Sequence, residues 1–415
     1  MLVKNLTTRP EHWGPFTLHP GEWGYVPTHT ALQAQLDANP SFQCLHDVLD
    51  NEKPDVVIFS GCPMTTTGGG QHPTQIAKAL RDLGHRVLYV QTGLPSGGDD
   101  ERLFVVQDKK LFQAHPPSQQ ELQMWNETLA EFSNHPDRIV LFTFPSAYLL
   151  DLEQAAWANG YKTVYWCLDD WKEINLTQNQ GAYQEVVEEV LVGSCGTTLA
   201  TATILGGKLQ PWTEKPISVI GNGFSRDNFP SCPVLSEKPA DMRLGEKTLI
   251  YWGELQGRWI DIDLIEGLAR LEPTWAINLI GPHQRAERKI KLPNVHYLGE
   301  KPVGELYRYG YFGDCGLIPF KQGKVSDAVN PIKSYEYLAA NLPIVSIPMP
   351  ELDAFPLTFQ VPGEPVCFQE AIRTLPDKQG FQEVTRFFLE ESTWQKRATA
   401  FLNAAIGVKH AALAH

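Results

Sequence analysis

Residues 329–345 read Val-Asn-Pro-Ile-Lys-Ser-Tyr-Glu-Tyr-Leu-Ala-Ala-Asn-Leu-Pro-Ile-Val and decide the fold of the second half of the chain. Pro331 suits a first helical turn, because its missing N–H costs no hydrogen bond there. Apolar residues then recur at helical spacing, and an apolar run begins at Ile344. The stretch therefore predicts a helix that leads directly into a buried strand.

Lys333 and Glu336 stand three positions apart near the start of this predicted helix, so they share one face. An ammonium group neutralises phosphate, and a carboxylate accepts hydrogen bonds from ribose hydroxyls. Free backbone N–H groups at a helix start also favour an anion. For an isolated pair, the simpler interpretation is a solvated Lys and Glu on a surface helix. The rest of the sequence decides between the two.

The remaining chain alternates between strand-like and helix-like segments in two series. The first series runs from the apolar run 55–60 to the run 217–220, and the second from 248–252 to 344–347. Residues 230–247 are rich in proline and charge and lack periodicity, as linkers do. Such alternation gives parallel sheets covered by helices. The predicted fold class is α/β, with two Rossmann-like, doubly wound parallel-sheet domains facing a cleft.

The predicted domain boundaries follow from these two series. They are an N-terminal domain at 1–229, which includes an extension at 1–53; a linker at 230–247; a C-terminal domain at 248–380; and a terminal segment at 381–415. The terminal segment contains an amphipathic helix, predicted from 381 to 406, that can cross back to the first domain.

Composition and charge restrict the class of protein. The net charge of −13 disfavours nucleic acid as a partner, since such binding needs a basic face. The seven cysteines are scattered without a Cys-x-x-Cys pair, which favours reduced thiols in a cytoplasmic protein. No apolar run is long enough for a signal peptide or a membrane span, so we expect at most peripheral membrane contact.

The segment 329–345 resembles the Asn-Pro-x-Lys-x-Tyr-Glu-Tyr-Leu-Ala-Ala-Gly-x-Pro-Val-Val signature of GT-B glycosyltransferases, especially bacterial family-four enzymes of the teichuronic-acid biosynthesis type. The resemblance is strongest over 250–351 and looser over 55–351. It implies the GT-B fold and transfer of a sugar from a nucleoside diphosphate donor with retention. In such an enzyme Lys333 would act in catalysis by stabilising the leaving diphosphate, and Glu336 would hold the ribose.

A glycine-rich turn follows the first strong strand and precedes a helix. Gly68, Gly69 and Gly70 allow a backbone to approach a phosphate closely, and they resemble the Gly-Gly turn at this place in family-four enzymes. His72 stands in the same turn and is a candidate for contact with the donor. The other interpretation is a flexible turn without a ligand. The pattern Gly-x-Gly-x-x-Gly is absent, so we predict no dinucleotide cofactor.

The loop after the first strand of the second domain is another candidate, because ligands bind at the carboxyl ends of parallel strands. It contains Gly253 and Arg258. Family-four enzymes carry an Arg and a Lys in this loop to clamp the diphosphate, whereas this chain has Glu254 near the first place and Arg258 near the second. A surface ion pair is the other interpretation of Arg258.

Two more donor contacts are predicted just before the signature helix. A first Glu that touches the donor sugar in the family would fall on Ala328, so Asp327 or the adjacent loop would take over that role. Asn330 belongs to the signature and is predicted to bind the donor with it.

Asp169 and Asp170 follow another core strand, in a segment that resembles the Asp-Asp-Trp turn of the same subgroup. Carboxylates at the end of a strand can orient an acceptor hydroxyl or contact a sugar, which makes both residues predicted catalytic groups. Asp is also a good helix N-cap, and the two interpretations stay open. Many relatives place a His near here, and this chain does not.

The sequence therefore predicts a hexosyltransferase-like enzyme of polysaccharide biosynthesis. Its expected partners are a nucleotide-sugar donor and a glycan, lipid-linked or other acceptor, and no metal or cofactor is expected to be required. Two alternatives stay open. One is a nucleotide-sugar epimerase on the same scaffold, which needs no acceptor. The other is a noncatalytic homologue that acts as a partner subunit, suggested by the absent first Glu and the absent His.

Overall fold

The computed structural model of the chain contains two large β-sheets covered by helices. It describes residues 2–5, 11–13, 16–18, 23–25, 42–45, 52–62, 64, 71–91, 104–108, 111–114, 122–178, 183–230, 238–255, 257–283 and 290–407. None of the helices within these ranges is both long enough and apolar enough to cross a membrane.

The strands are short and are numbered in chain order. They are β1 (Leu2–Asn5), β2 (Glu11–Trp13), β3 (Phe16–Leu18), β4 (Trp23–Tyr25), β5 (Phe42–Leu45), β6 (Val56–Ser60), β7 (Val87–Gln91), β8 (Phe104–Asp108), β9 (Leu111–Ala114), β10 (Ile139–Phe142), β11 (Lys162–Cys167), β12 (Thr197–Ala200), β13 (Ser218–Val219), β14 (Thr248–Trp252), β15 (Ala276–Ile280), β16 (Val295–Gly299), β17 (Cys315–Ile318), β18 (Ile344–Ser346) and β19 (Thr358–Gln360).

The helices mostly connect one parallel strand to the next. They are α1 (His72–Asp82), α2 (Leu122–Phe132), α3 (Tyr148–Ala158), α4 (Trp171–Gln178), α5 (Glu185–Ser194), α6 (Thr203–Leu209), α7 (Ile262–Leu271), α8 (Val303–Phe312), α9 (Lys324–Asp327), α10 (Ile332–Ala339), α11 (Pro365–Arg373), α12 (Phe381–Glu391) and α13 (Trp394–Ile406). Short 3₁₀ turns at Gln210–Trp212 and Pro350–Leu352 complete the described helical segments.

The first sheet has a parallel part with the strand order β13-β12-β11-β10-β6-β7-β9. Its central strands β6 and β10 are buried along their whole length, as expected for parallel strands with helices on both faces. The strand order reverses between β6 and β10. Ligands bind in the crevice outside the carboxyl ends of strands at such a reversal.

Beyond β9 the same sheet continues with the antiparallel strands β8, β4, β1 and β5. The sequence did not predict these strands. Those from the N-terminal extension have three or four residues each. Strand β4 pairs with a distant partner, Trp23 opposite Val106, so no local turn or periodicity indicates it.

The second sheet is entirely parallel, with the order β16-β15-β14-β17-β18-β19. Its order reverses between β14 and β17, which gives a second expected ligand crevice. The signature segment forms α10 and β18, so the predicted helix that leads into a buried strand is confirmed.

The terminal segment forms two helices, α12 and α13, where the sequence predicted one. The break occurs because Thr393 accepts a hydrogen bond from the Lys396 N–H and starts a new helix. Two hydrogen bonds of 3.1 Å, Phe224 N–H to Ser392 O and Trp394 N–H to Phe224 O, join the break to the segment after β13. Helix α13 then packs in the core cluster of the first sheet.

Trp394 anchors α13 against the first sheet. Its replacement tests whether this packing braces the first domain. The indole is 3% exposed and its ring centroid lies 5.5 Å from that of His72. We expect Trp394→Ala to lower the free energy of unfolding by about 3–5 kcal/mol, because removal of a large buried ring leaves a cavity. Urea unfolding measures the loss. The control Lys396→Ala removes only an exposed ion pair with Glu391 and should cost less than about 1 kcal/mol. Equal losses in the two variants would contradict a bracing role.

Candidate active site

The side chain of Lys333 lies where the strand order of the second sheet reverses. Helix α10 places its Nζ 4.7 Å from the ring centroid of Phe320, which follows β17, and 5.2 Å from that of Tyr251 in β14. Both distances are within the range of a cation–π interaction. The ammonium group therefore lies between the carboxyl ends of the two strands that flank the expected crevice.

Gly253 brings the backbone close to this ammonium group. Its φ of +133° lies in a region that favours glycine. A Cβ at Gly253 would lie 3.3 Å from Lys333 Nζ, and a Cβ at Gly281 would overlap the carbonyl oxygen of Gly253. A side chain at position 253 would fill the space beside the ammonium group, whereas the glycine at 281 allows the Gly253 backbone to approach closely. The structure thus brings the predicted residues Gly253 and Lys333 together.

Glu336 lies one helical turn further along α10 and is buried. Its Oε2 accepts a hydrogen bond of 2.8 Å from Trp252 Nε1, at the end of β14. Its Oε1 has no hydrogen-bond partner among the described residues. Burial raises the pKa of Glu336, although the Trp252 hydrogen bond and the Lys333 charge oppose this. One carboxylate oxygen is therefore fixed, and the other can accept a hydrogen bond from a ligand hydroxyl.

Burial also affects the ionisation of Lys333. Burial lowers its pKa to about 8, and the nearby Glu336 carboxylate only partly opposes this shift. A bound anion would favour the charged amine and raise this pKa again. A lysine with a lowered pKa in a crevice is typical of a functional site more than of a structural ion pair.

The structure does not define the positions of the other predicted donor-binding residues relative to Lys333 and Glu336 as closely. Arg258 is exposed on the loop after β14, and Asp327 is half-buried at the end of α9. The turn that contains Gly68, Gly69 and Gly70 lies outside the described residues. Donor contact through any of these residues stays a prediction.

His72 is a buried residue in the structure. It begins α1 and is buried, with its ring centroid 4.3 Å from that of Trp166 and 5.5 Å from that of Trp394. Burial, and secondarily the charge of Arg397, lowers the pKa of His72 to about 3. His72 thus lies between α1 and α13, and donor contact through it stays a prediction.

Asn330 makes hydrogen bonds to the first domain. Its Oδ1 accepts hydrogen bonds of 2.9 Å from the Asn222 N–H and from the Tyr335 hydroxyl. Its Nδ2 donates to Glu351 Oε2 at 3.2 Å. These contacts use the carboxamide oxygen and one N–H of Nδ2, so the side chain joins the two domains, and donor contact through Asn330 stays a prediction.

Asp170 and Asp169 have different surroundings. Asp170 Oδ1 accepts hydrogen bonds from the Glu173 N–H at 3.1 Å and from Lys208 Nζ at 2.5 Å, so it is an N-cap for α4 with a paired charge. The Asp169 side chain has no hydrogen bond among the described residues. Burial, and secondarily the charge of Asp170, raises the pKa of Asp169 to about 7. The Asp169 carboxyl group is therefore free of hydrogen bonds from the described residues, whereas Asp170 is engaged through its Oδ1.

Asp169 lies at the carboxyl end of β11, next to the strand reversal of the first sheet. Its charge raises the pKa of Cys62, which follows β6 and whose pKa is raised to about 11 mainly by burial. Just after Asp170, Glu173 forms an ion pair of 3.1 Å with Lys324 at the start of α9 in the second domain. The Asp169 turn is therefore at the junction of the domains.

Trp252, Phe320 and Lys208 contribute to these sites, and the sequence did not predict them. Trp252 and Phe320 end or follow strands at the carboxyl edge of the second sheet, so the position rule for parallel sheets could have selected them. Their apolar character instead indicates core residues. No local pattern indicates Lys208, because its partner Asp170 is distant in sequence.

Solved structures share this architecture. A glycosyltransferase from Rickettsia africae ESF-5 has 14% identity and a TM-score of 0.61, over 87% of this chain and 100% of that chain. The trehalose-6-phosphate protein from E. coli, solved with UDP-2-fluoro glucose bound, has 11% identity and a TM-score of 0.59, over 86% and 99%. WaaG, a glycosyltransferase of lipopolysaccharide biosynthesis, has 15% identity and a TM-score of 0.55, over 84% and 98%. At these identities the likeness shows the fold.

In sequence, the chain is similar to TuaH of Bacillus subtilis (strain 168), which is named as a teichuronic acid biosynthesis glycosyltransferase. The identity is 27% over 147 residues, which are 32% of this chain and 37% of TuaH. The chain thus matches just over a third of the length of this curated relative. No family model matches the chain. The predicted resemblance to the teichuronic-acid type is confirmed over the matched residues, and the chain has the predicted GT-B fold.

Proposed function

We propose that the protein is a glycosyltransferase that moves a sugar from a nucleoside diphosphate donor to a glycan, lipid-linked or other acceptor. The observation that carries the proposal is the pair formed by Lys333 and Glu336. A desolvated ammonium group and a carboxylate with one oxygen available lie on one turn of α10, at the strand reversal of the second sheet. The name of TuaH and the UDP-2-fluoro glucose bound to a structural neighbour support it.

The donor binds with its diphosphate at Lys333 and its ribose at Glu336 Oε1. When the bond between the sugar and the diphosphate breaks, negative charge grows on the leaving oxygen. The Lys333 ammonium stabilises that charge, and it does so more strongly because it is partly withdrawn from water beside Phe320 and Tyr251. This electrostatic role needs no metal ion. Retention of configuration follows the family resemblance and is part of the proposal.

The acceptor binds on the side of the first domain, where Asp169 lies. A carboxyl group with a pKa of about 7 can take up or release a proton near neutral pH. Asp169 thus orients the attacking hydroxyl on the face of the sugar that the diphosphate leaves, as retention in one step requires, and accepts its proton. Asp170 fixes the turn through its N-cap and its ion pair with Lys208.

The proposal is tested by a thermal-shift panel of nucleoside diphosphate sugars, followed by an assay of any hit with and without glycan acceptors. We expect one donor to raise the melting temperature of the wild type, and release of nucleoside diphosphate to depend on an acceptor. Isomerised donor without an acceptor would identify an epimerase. A panel with no stabilising donor, or stabilisation without turnover under any acceptor, would favour the noncatalytic homologue.

The affinity for a nucleoside diphosphate should decrease as the pH rises through about 8, because Lys333 then loses its charge. Between the pKa values of the free and the bound enzyme, the dissociation constant should rise by up to about tenfold per pH unit. Calorimetry from about pH 7 to about pH 9.5 avoids the second ionisation of the phosphate. Lys333→Ala should bind more weakly at neutral pH and lack this slope. The same slope in that variant would assign the titration to another group.

Glu336→Ala should weaken binding of the nucleoside portion of the donor by roughly 1.5–3 kcal/mol, the value of a hydrogen bond to a charged group. The comparison of a ribonucleoside diphosphate with its 2′,3′-dideoxy analogue isolates the ribose contact. The wild type should prefer the ribonucleotide, and the variant should bind both alike. Trp252→Phe serves as a control, because it removes the partner of Oε2 and leaves the carboxylate in place. A folded Glu336→Ala protein that still prefers the ribonucleotide would exclude the role.

Asp169→Asn and Asp170→Asn should separate a catalytic group from a cap. We expect Asp169→Asn to lose about a hundredfold in turnover, the scale of acid–base catalysis, with no loss of stability. Asp170→Asn keeps the cap but not the charge, so it should lose roughly 1 kcal/mol or more of stability and less than about tenfold in turnover. Steady-state kinetics and urea unfolding provide both readouts. Full activity of Asp169→Asn would remove this residue from the mechanism.

A further inference from the structure

A continuous path of hydrogen bonds crosses between the two domains beside α10. Glu351, in the 3₁₀ turn after β18, accepts two bonds from different domains. Its Oε1 accepts from the N–H of Thr203, the first residue of α6, at 2.7 Å. Its Oε2 accepts from Asn330 Nδ2 at 3.2 Å. One carboxylate therefore joins a helix of the first domain to the loop that precedes α10.

The path continues from Asn330 into the segment that leaves the first sheet. The Asn222 N–H donates to Asn330 Oδ1 at 2.9 Å, and Asn222 Nδ2 donates to the Asn330 carbonyl at 2.5 Å. Arg397 Nε, on α13, donates to the Asn222 carbonyl at 2.8 Å. Both asparagines are less than one-tenth exposed, and a buried amide that loses its partners is costly.

The residues on either side of Asn330 are also seated against the first domain. Ala328 is completely buried in one core cluster of the first sheet, and Ile332 packs against another. Lys333 is the next residue after Ile332. Any movement of the Asn330 loop therefore moves the first turn of α10 and the ammonium group on it.

We infer that Glu351 and Asn330 form an interdomain latch that positions α10, and with it Lys333 and Glu336, against the first domain. Glu351 is a positioning residue, because it acts through Asn330 and α6 and does not touch the crevice residues. A carboxylate suits this place for two reasons. It provides two acceptors, and its charge is favoured at the first N–H of a helix. The latch consists only of groups of this chain, so it can be tested without a ligand.

The geometry distinguishes Glu from Gln at position 351. Both partners of the carboxylate are donors, and the Asn330 carboxamide cannot turn over, because its Oδ1 already accepts two hydrogen bonds. A Gln side chain has one acceptor and one donor group, so it can satisfy only one of the two partners. A latch that needs two acceptors should therefore be weakened by Glu351→Gln and lost in Glu351→Ala.

Amide hydrogen exchange followed by mass spectrometry tests the inference without any ligand. In Glu351→Ala we expect exchange to quicken by about tenfold or more at Thr203, at Asn222 and at Ser334 in the first turn of α10, because local opening needs less free energy. Glu351→Gln should give an intermediate change. The control Glu364→Ala alters an exposed carboxylate that makes no cap hydrogen bond, and it should change none of these rates.

Two results would overturn the inference. If Thr203 and Asn222 exchange in Glu351→Ala at the same rates as in the wild type, there is no latch. Faster exchange at these two residues with no change at Ser334 would show a contact that does not position α10.

A kinetic readout rests on the proposed function. Turnover should fall by about tenfold or more in Glu351→Ala, with Glu351→Gln between it and the wild type, while the affinity for a bare nucleoside changes by less than about threefold. An unchanged turnover in Glu351→Ala would overturn the positioning role even if the exchange rates respond. If no donor supports turnover, the proposed function fails, and the exchange experiment still decides the latch.

Discussion

Two hydrogen bonds between Asn222 and Asn330 join the last segment of the first domain to the loop before α10 in the second domain. The segment after β13, the loop before α10 and the start of α13 all meet there, and Arg397 ties the third to the first. Hydrogen bonds suit this junction, because buried amides without partners would cost more than the bonds themselves contribute. At this junction the two domains are therefore joined by polar contacts with defined directions.

The surroundings of Lys333 show why the position of α10 matters. An ammonium group that loses water is destabilised, and two aromatic rings return only about 0.5–2 kcal/mol each. Glu336 opposes the lowered pKa of Lys333, but burial is the larger cause. The charged form of Lys333 is therefore less stable in the free protein than in water. An anion bound at the crevice would stabilise this charge, and that is the expected property of a site arranged for a developing negative charge.

The sequence predicted the second sheet except for β19, which lies beyond the predicted series, because the other strands are apolar runs with short connections. The helix–strand order of the signature segment is an example, and α10 and β18 confirm it. The features that the sequence did not show have a common physical origin in contacts between distant residues. His72 packs against Trp394 of α13, and α13 begins at a capping Thr393 that interrupts a periodic helix pattern. Asn330 belongs to a donor-binding signature, yet its partners Asn222 and Glu351 can be known only from the folded chain.

Asp169 and Asp170 extend this argument to catalysis. The two residues are neighbours of the same type, so no sequence pattern can separate their roles. The fold separates them, because Lys208 and the Glu173 N–H both engage Asp170, while burial without a hydrogen bond raises the pKa of Asp169. Glu173 then pairs with Lys324, so the turn that bears Asp169 is tied to the second domain. The latch beside α10 and this ion pair are separate contacts across the same junction. The candidate donor groups and the candidate acceptor group are therefore positioned by interdomain contacts, and a change in domain orientation would move both.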